Sequence, residues 1–342
     1  MAFFGVTKEK ISKIMDHPNA DRLSLAQVES MSFIFVTGKN QFSVGDDVLY
    51  LPIDSLLPQE VLEKLNLVGK LSGTNKNRVK TLKLRSVPSQ GIVAEVSKFL
   101  TPEQMNLSSE EITALLGVTK YEPPVKISTS GILTGLPDGY STYDIEGADR
   151  YQSVIDEMID MEVVITEKME GTNLSAGKNE TGLFVNQRNN SIVEKDDVAN
   201  SYWEVARNSG LLEKVKGLNS SNIGVYAEFC GPKIQDNIYG LKQHTLYVFD
   251  IKENFNWLSF EEFKSKVEFL GVQMAPVLFE GKLKDFLQGR TVQEASNGPS
   301  LVNPDTLREG IVIKPRIEQR HQILGRLIIK QRSPQYLAGS DN

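Results

Sequence analysis

Short apolar runs broken by turn residues dominate residues 1–100. Val28 and Phe33-Ile34-Phe35-Val36 give way to Gly38-Lys39-Asn40, and Gly45-Asp46-Asp47 leads into Val48-Leu49-Tyr50-Leu51-Pro52. Further on, Val79-Lys80-Thr81-Leu82-Lys83-Leu84-Arg85 intersperses basic and apolar residues, and Gly91-Ile92-Val93-Ala94-Glu95-Val96 closes the set. Side chains on a strand alternate between two faces, so this pattern, with Gly, Asn and Asp at the breaks, predicts strands of a small β-barrel. Residues 101–145 read as a connector. Thr101-Pro102-Glu103-Gln104 and Ser108-Ser109-Glu110-Glu111 are helix starts, while Pro123-Pro124 and Pro137-Asp138-Gly139 punctuate turns. From residue 146 to 342 apolar strands alternate with amphipathic helices, an α+β pattern, and no repeat of fixed period is present.

An oligonucleotide-binding (OB) barrel fits the size and strand count of the first region. The stretch His17-Pro18-Asn19-Ala20-Asp21-Arg22-Leu23 also resembles the opening of tRNA-binding OB modules. A length of 342 residues suits two domains. Composition is that of a globular protein, 40% hydrophobic and 24% charged, and no apolar run approaches the roughly 20 residues that span a bilayer. One cysteine, Cys230, excludes an internal disulfide and a cysteine-based zinc cluster. With no signal-peptide pattern at Met1-Ala2-Phe3-Phe4-Gly5-Val6, the expectation is a monomer of the cytoplasm or nucleus. A net charge of −6 argues against coating nucleic acid by bulk charge, but leaves room for a local basic groove.

The candidate chemistry sits in five segments of the second region. Val163-Val164-Ile165-Thr166-Glu167-Lys168-Met169-Glu170-Gly171-Thr172-Asn173 is an apolar strand that delivers a lysine, followed at once by an acid and a glycine. Val225-Tyr226-Ala227-Glu228-Phe229-Cys230-Gly231 embeds an acid in an apolar strand, where an unpaired carboxylate is costly. Leu246-Tyr247-Val248-Phe249-Asp250-Ile251 is aromatic-rich, and Leu307-Arg308-Glu309-Gly310-Ile311-Val312-Ile313-Lys314-Pro315 opens a β-branched run with an acid. Leu327-Ile328-Ile329-Lys330-Gln331-Arg332-Ser333 projects two cations from one face. Taken singly, each has a bland explanation: a solvated strand end, a structural ion pair, plain core.

Together and in this order the segments resemble the covalent nucleotidyltransferase superfamily of ATP-dependent ligases and capping enzymes, over roughly residues 160–335. The resemblance implies that the Lys168 amine attacks the α-phosphorus of ATP, expels pyrophosphate and carries AMP as a phosphoramidate. That amine must be neutral, whereas a free lysine has a pKa near 10.4. Lys330, Arg332 and a metal ion are the charges that would depress it, and Lys330 would also contact the α-phosphate. By the family pattern Glu170 would contact the ribose hydroxyls, and Gly171 would let the backbone pass close to the sugar. Glu228 and Glu309 would hold water ligands of Mg²⁺ or Mn²⁺, Phe249 would stack on adenine, and Glu167 would reach the base edge. Arg188, in Phe184-Val185-Asn186-Gln187-Arg188-Asn189-Asn190-Ser191, would contact the ribose or an incoming 5′-phosphate; Asn186 and Asn189 read equally well as turn formers. Arg150, in a charge-dense lead-in, would reach a phosphate if that lead-in is not merely a solvated linker. The commonest first motif has aspartate at this position; the glutamate of this chain, Glu170, is a form that some RNA ligases use.

The fold class implied is α+β: an OB-type barrel at 1–100, the connector, then an ATP-grasp-like adenylyltransferase domain of antiparallel sheets with helices at 146–342. DNA ligases and mRNA capping enzymes place an OB domain after the nucleotidyltransferase domain. Here the barrel comes first and the chain ends about ten residues after Arg332, an arrangement that resembles an RNA ligase family with an N-terminal OB domain. The expected activity is joining RNA 3′-OH and 5′-phosphate ends, at nicks in duplexes. Arg78, Lys80, Lys83 and Arg85 would track a phosphate backbone unless they simply form a solvated strand face. The rival readings are a DNA nick ligase, a GMP-transferring capping enzyme, and a non-catalytic RNA- or tRNA-binding OB protein.

Overall fold

A computed structural model describes residues 4–31, 34–121, 131–195 and 199–339. Phe33 and the Pro123-Pro124 pair lie outside the described residues. The chain divides into two compact units. The first takes in the described parts of Ala2–Pro123, Gly147–Asp156 and Pro334–Asn342, and the second those of Pro124–Glu146 and Glu157–Ser333.

The first unit is built on strands β1 (Thr7–Asp16), β2 (Leu23–Val28), β3 (Phe35–Gly38) and β4 (Asp47–Leu51), with the hairpin β5 (Leu82–Leu84) and β6 (Val87–Ser89), and then β7 (Ile92–Glu95). Five of them pair antiparallel in the order β3-β2-β1-β4-β7. The long β1 serves both halves, pairing with β4 through residues 7–10 and with β2 from Ile11 onward, where a register shift lets it bend. The sheet curls until Val36 donates its N–H to Ser89 Oγ at 3.0 Å and Gln90 its N–H to Ile34 O at 3.3 Å, nearly closing a barrel. Inside lie Ile11, Ala26, Phe35, Val48, Tyr50 and Val93.

Strand β4 is apolar at four consecutive positions because both of its faces are covered. Val48 and Tyr50 face the barrel interior, whereas Leu49 and Leu51 join an outer core with Leu57, Leu62, Phe99 and Ile112. Ile112 comes from helix α1 (Ser109–Leu115), whose N-terminus is closed by reciprocal bonds between Ser108 and Glu111. Residues 101–121 therefore pack on the barrel through Ile112 and Val118. The run Val79–Arg85 does not become a barrel strand. Only Leu82–Leu84 is extended, pairing with Val87–Ser89 as a hairpin, while Val79 sits in the outer core.

The second unit is built on two sheets, antiparallel except where Gln273–Met274 pairs parallel with Tyr247 and Val248. Its larger sheet runs Ile132–Thr134, β11 (Ser191–Val193), β10 (Gly182–Gln187), β9 (Thr172–Asn179), β12 (Ile223–Cys230), β13 (Thr245–Glu253) and Asn256–Trp257. The second sheet places β16 (Ile329–Arg332), β15 (Gly310–Pro315), β8 (Glu162–Lys168) and β14 (Val277–Lys282) side by side. Helices α2 (Ser201–Asn208), α3 (Leu211–Lys216) and α4 (Phe260–Leu270) bury Tyr202, Leu211 and Phe263 in a core shared with Leu174, Val225 and Val248 of the larger sheet. Strand β8 ends in the second sheet and β9 begins in the first, so Met169-Glu170-Gly171 carry the chain from one sheet to the other. That crossing positions the site. Among the described residues no helix is long and apolar enough to cross a membrane.

Candidate active site

Lys168 is the last residue of β8, and the register sets Lys168, Gly310 and Arg332 in one row across three strands. The next row is Thr166, Val312 and Lys330. Partners in a row share a face, so Lys168, Lys330 and Arg332 project to the same side. The middle position of the first row tolerates no side chain, because a Cβ on Gly310 would lie 2.1 Å from the carbonyl oxygen of Gln331. Glu309, one residue earlier, is fixed from both ends: its carbonyl accepts the Ser333 N–H at 2.8 Å, and its Oε2 receives the Lys168 ammonium at 2.7 Å. The other oxygen lies 3.7 Å from Arg332 Nε. One carboxylate thus joins the candidate nucleophile to the C-terminal basic strand.

The facing carboxylates come from the crossing and from the larger sheet. Glu228 lies opposite Asn173 in the pairing of β9 with β12. Burial pushes its carboxyl up to about 8, with Glu309 and Glu170 adding to the rise and Lys168 and Lys330 opposing it. Burial likewise raises Glu170 to about 7, although the backbone N–H groups of Asp236 and Ile238 partly offset it. Glu170 Oε1 accepts the Asp236 N–H at 2.8 Å, its amide donates to Tyr239 Oη at 2.7 Å, and its Oε2 is buried with no partner among the described residues. A side chain at Gly171 would collide with the neighbouring strand, its Cβ 2.6 Å from Phe229 O and 2.8 Å from Glu228 Cγ. The glycine is thus demanded by the approach of β12, a constraint separate from the closeness to a sugar that the motif suggested.

Glu167 points away from Lys168, as adjacent strand residues must. It is 1% exposed, accepts the Leu301 N–H at 2.8 Å through Oε2, and keeps Oε1 unpartnered among the described residues. Burial raises its carboxyl, against the pull of Ser300 and Arg308. Phe249 is half-buried in an apolar cluster with Met169, Cys230, Tyr239 and Val302, its ring 5.0 Å from that of Tyr143. Buried acceptors beside an apolar wall are the groups a planar base with exocyclic donors would satisfy.

Other sequence-derived candidates divide. Arg188 follows β10 and pairs with Asp144 at 2.9 Å. Asn186 is not a turn residue; it is fully buried in β10 and donates to Ser175 Oγ at 3.0 Å. Arg150 ends the turn Ala148–Arg150 and belongs to the barrel unit, where its charge acts on buried Tyr50. Arg78 is committed within the barrel unit: it grips Asp54 Oδ1 at 2.7 and 3.2 Å and lies 3.6 Å over the Tyr121 ring. Lys80 is half-buried, whereas Lys83 and Arg85 stand exposed.

One cluster escaped sequence reasoning. Asp250 is 0% exposed and accepts from Tyr143 Oη at 2.6 Å, Lys314 Nζ at 3.0 Å and an Arg326 guanidinium nitrogen at 2.9 Å. Arg326 also forks onto Glu318 at 2.7 and 2.8 Å and lies 3.9 Å over the Trp257 ring. Burial alone would raise the Asp250 carboxyl, but Lys314, Arg326 and Tyr143 hold it below its ordinary value. The available signal was the one applied to Glu228, an acid inside an apolar strand.

A divalent cation fits this donor set through its hydration shell. Among the described residues no three acids converge for direct ligation, yet Glu228, raised chiefly by burial, also feels Glu309 and Glu170 close by. Magnesium, which sheds water reluctantly, suits carboxylates that reach its waters.

An RNA ligase family model matches residues 161–331, half of the 342-residue chain, and an OB-fold domain model matches residues 5–96. Among solved structures the chain is similar to Naegleria gruberi RNA ligase with PPi, at 26% identity and TM-score 0.83, covering 98% of each chain. It is similar as well to mutants of that ligase with AMP and Mn, at 26% identity and TM-score 0.83 over 97% of each chain, and with ATP and Mn, at 26% identity and TM-score 0.83 over 97% of each. No curated protein matches the chain.

Proposed function

The chain belongs to the RNA ligase family, and we propose that it is an ATP-dependent ligase sealing 3′-OH and 5′-phosphate RNA ends, at nicks in duplexes, through AMP carried on Lys168. The observation that carries this reading is the Lys168–Glu309 contact at 2.7 Å, set among acids that burial and mutual repulsion leave under-neutralised. Such a site favours a nucleotide triphosphate arriving with a divalent cation. The Naegleria ligase, solved with ATP and Mn, with AMP and Mn, and with PPi, supports the same ligands here.

In the first step Lys168 Nζ forms a bond to the α-phosphorus of ATP as the bond to pyrophosphate breaks. The ammonium proton passes to Glu309 Oε2, the acceptor already in hydrogen-bond contact with it. Lys330 and Arg332, on the same face, supply positive charge to meet the charge that grows on the phosphoryl oxygens. Glu228 and Glu309 would hold Mg²⁺ or Mn²⁺ through water, and the ion would supply further positive charge at those oxygens. Glu170 Oε2 receives a ribose hydroxyl, Glu167 Oε1 the base edge, and Phe249 the adenine face. In the second step the RNA 5′-phosphate takes AMP and the N–P bond breaks. In the third, the 3′-OH attacks the adenylylated end, forms the phosphodiester and releases AMP.

In this reading residues 146–342 carry the adenylyl chemistry, with Arg188 beside the sugar or 5′-phosphate, and residues 1–100 bind RNA. Duplex RNA is recognised mainly by shape and backbone, so little sequence preference is expected. The test is incubation with α-³²P-ATP and Mg²⁺, then denaturing electrophoresis. Label on the wild type and none on Lys168→Ala is expected; a folded, AMP-free wild type that takes no label ends the ligase reading.

A further inference from the structure

The barrel unit contains a backbone feature that its fold does not require. The β5–β6 hairpin turns through Arg85 and Ser86, between the paired residues Leu84 and Val87. Both central residues have positive φ, 49° for Arg85 and 72° for Ser86. Positive φ at both positions marks a type I′ turn, for which Asn-Gly or Asp-Gly is the favoured sequence. Arginine and serine fill it here, and strain of this kind persists only where the surroundings hold it in place.

The surroundings do hold it, from a loop far away in sequence. His17, 6% exposed, donates Nε2–H to Leu84 O at 3.1 Å. Its Nδ1 accepts the Asn19 N–H at 3.0 Å, which makes the ring the neutral Nε2–H tautomer. Asn19 Nδ2 then donates to Arg85 O at 3.0 Å. The stretch His17-Pro18-Asn19, singled out for resembling tRNA-binding modules, thus serves as the brace of the turn. On the hairpin's strands packs the helix Pro334–Gly339, of the same unit.

What the turn presents is charge. Lys83 and Arg85 are exposed, and among the described residues neither has a carboxylate partner. Arg78, by contrast, is matched by Asp54, and Lys39, near the His17–Asn19 brace, by Asp16. We infer that the braced Arg85-Ser86 turn, with Lys83, is a preset docking point for the sugar–phosphate backbone of an RNA duplex. With the turn's backbone held, an exposed guanidinium projects from a fixed point and can meet a phosphate with two parallel hydrogen bonds at little cost in backbone entropy. This deepens the RNA-ligase reading and rests on it.

The test measures binding of a nicked RNA duplex to the full-length protein over a range of salt. The proteins are the wild type, Arg85→Ala, Lys83→Ala and the double variant Arg85→Asn with Ser86→Gly, each with its melting temperature. Each single variant should bind several-fold more weakly, and the slope of log K against log salt should shrink by about 0.9 for one phosphate no longer neutralised. The double variant suits a type I′ turn, so it should melt higher than wild type and yet bind as weakly as Arg85→Ala. Wild-type affinity and slope in both single variants would overturn the docking point, and a lower melting temperature in the double variant would overturn the strained turn. Lysyl-AMP formation by the wild type is assayed in parallel. Its absence would end the ligase reading, while the binding comparison would still decide the turn.

Discussion

Two groups of buried charge lie in the second unit, and they are built to opposite rules. At Asp250 every charge has its complement: Lys314, Arg326 and Tyr143 converge on one carboxylate, and Glu318 takes the rest of the guanidinium. Its carboxyl is depressed in spite of full burial. Around Lys168 the cations do not make up for burial, so Glu228 rises to about 8 and Glu170 to about 7, with Glu309 adding to both rises. The first cluster is finished on folding and contributes stability and register. The second is left uncompensated by the protein alone, at a cost in stability, and a divalent cation arriving with the nucleotide would supply positive charge there.

Breaking one group should therefore abolish chemistry, and breaking the other should unfold the protein. The largest effect expected is that of Lys168→Ala, which removes all label from α-³²P-ATP while leaving the melting temperature near that of wild type; a large loss of stability would mean that Lys168 is structural. Next is Asp250→Asn, which leaves Lys314 and Arg326 buried without a counter-charge and should cost about 3–5 kcal/mol in denaturant unfolding. A variant as stable as wild type would show that the cluster is not the brace its geometry suggests.

The two groups should also respond to pH with opposite signs. A Glu228 carboxyl at about 8 when folded, against an ordinary 4.5, means that the folded state holds a proton the unfolded state has lost. Stability of the metal-free protein should fall as pH rises between those two values, and Glu228→Gln should flatten the slope. Equal slopes in wild type and Glu228→Gln, followed by unfolding in a chelator, would remove Glu228 as the cause. Asp250 has the opposite sign: its contribution is present above its ordinary 3.8 and is lost only as pH falls below that value. The smallest effect expected is that of Phe249→Ala, a roughly tenfold rise in KM for ATP with self-adenylylation retained, in line with the worth of one aromatic stack. Unchanged ATP kinetics would take Phe249 out of the adenine site.

The legibility of these regions in sequence differed for physical reasons. The chemistry proposed here would demand particular residue types on short strands, so Lys168, Glu170, Glu228, Glu309 and Lys330 stand out within local windows. The rule that a buried acid needs a partner pointed to Glu228 and applied equally to Asp250, whose strand reads as plain aromatic core. Its partners lie 107, 64 and 76 residues away, beyond any local pattern. Strand β1 was illegible because only Ile11 in Thr7–Asp16 is fully buried; backbone pairing on both edges holds it. The Val79–Arg85 run promised a strand and delivered a hairpin arm, since Val79 was drawn into the outer core. Nothing near Arg78 in sequence announced its partners Asp54 and Tyr121, which lie 24 and 43 residues away.

What the sequence determined by itself is the order of the parts: a barrel of short strands first, then an α+β region whose lysine, acids and paired cations are each placed by a short strand. Strand alternation and the family's motif residues are set within a few positions of one another, so their signatures survive in one dimension. Tertiary structure decided which charges are spent on one another and which are left for a ligand. That choice depends on distances between strands far apart in sequence, because burial makes every unmatched charge costly and only the folded chain brings the matches within reach.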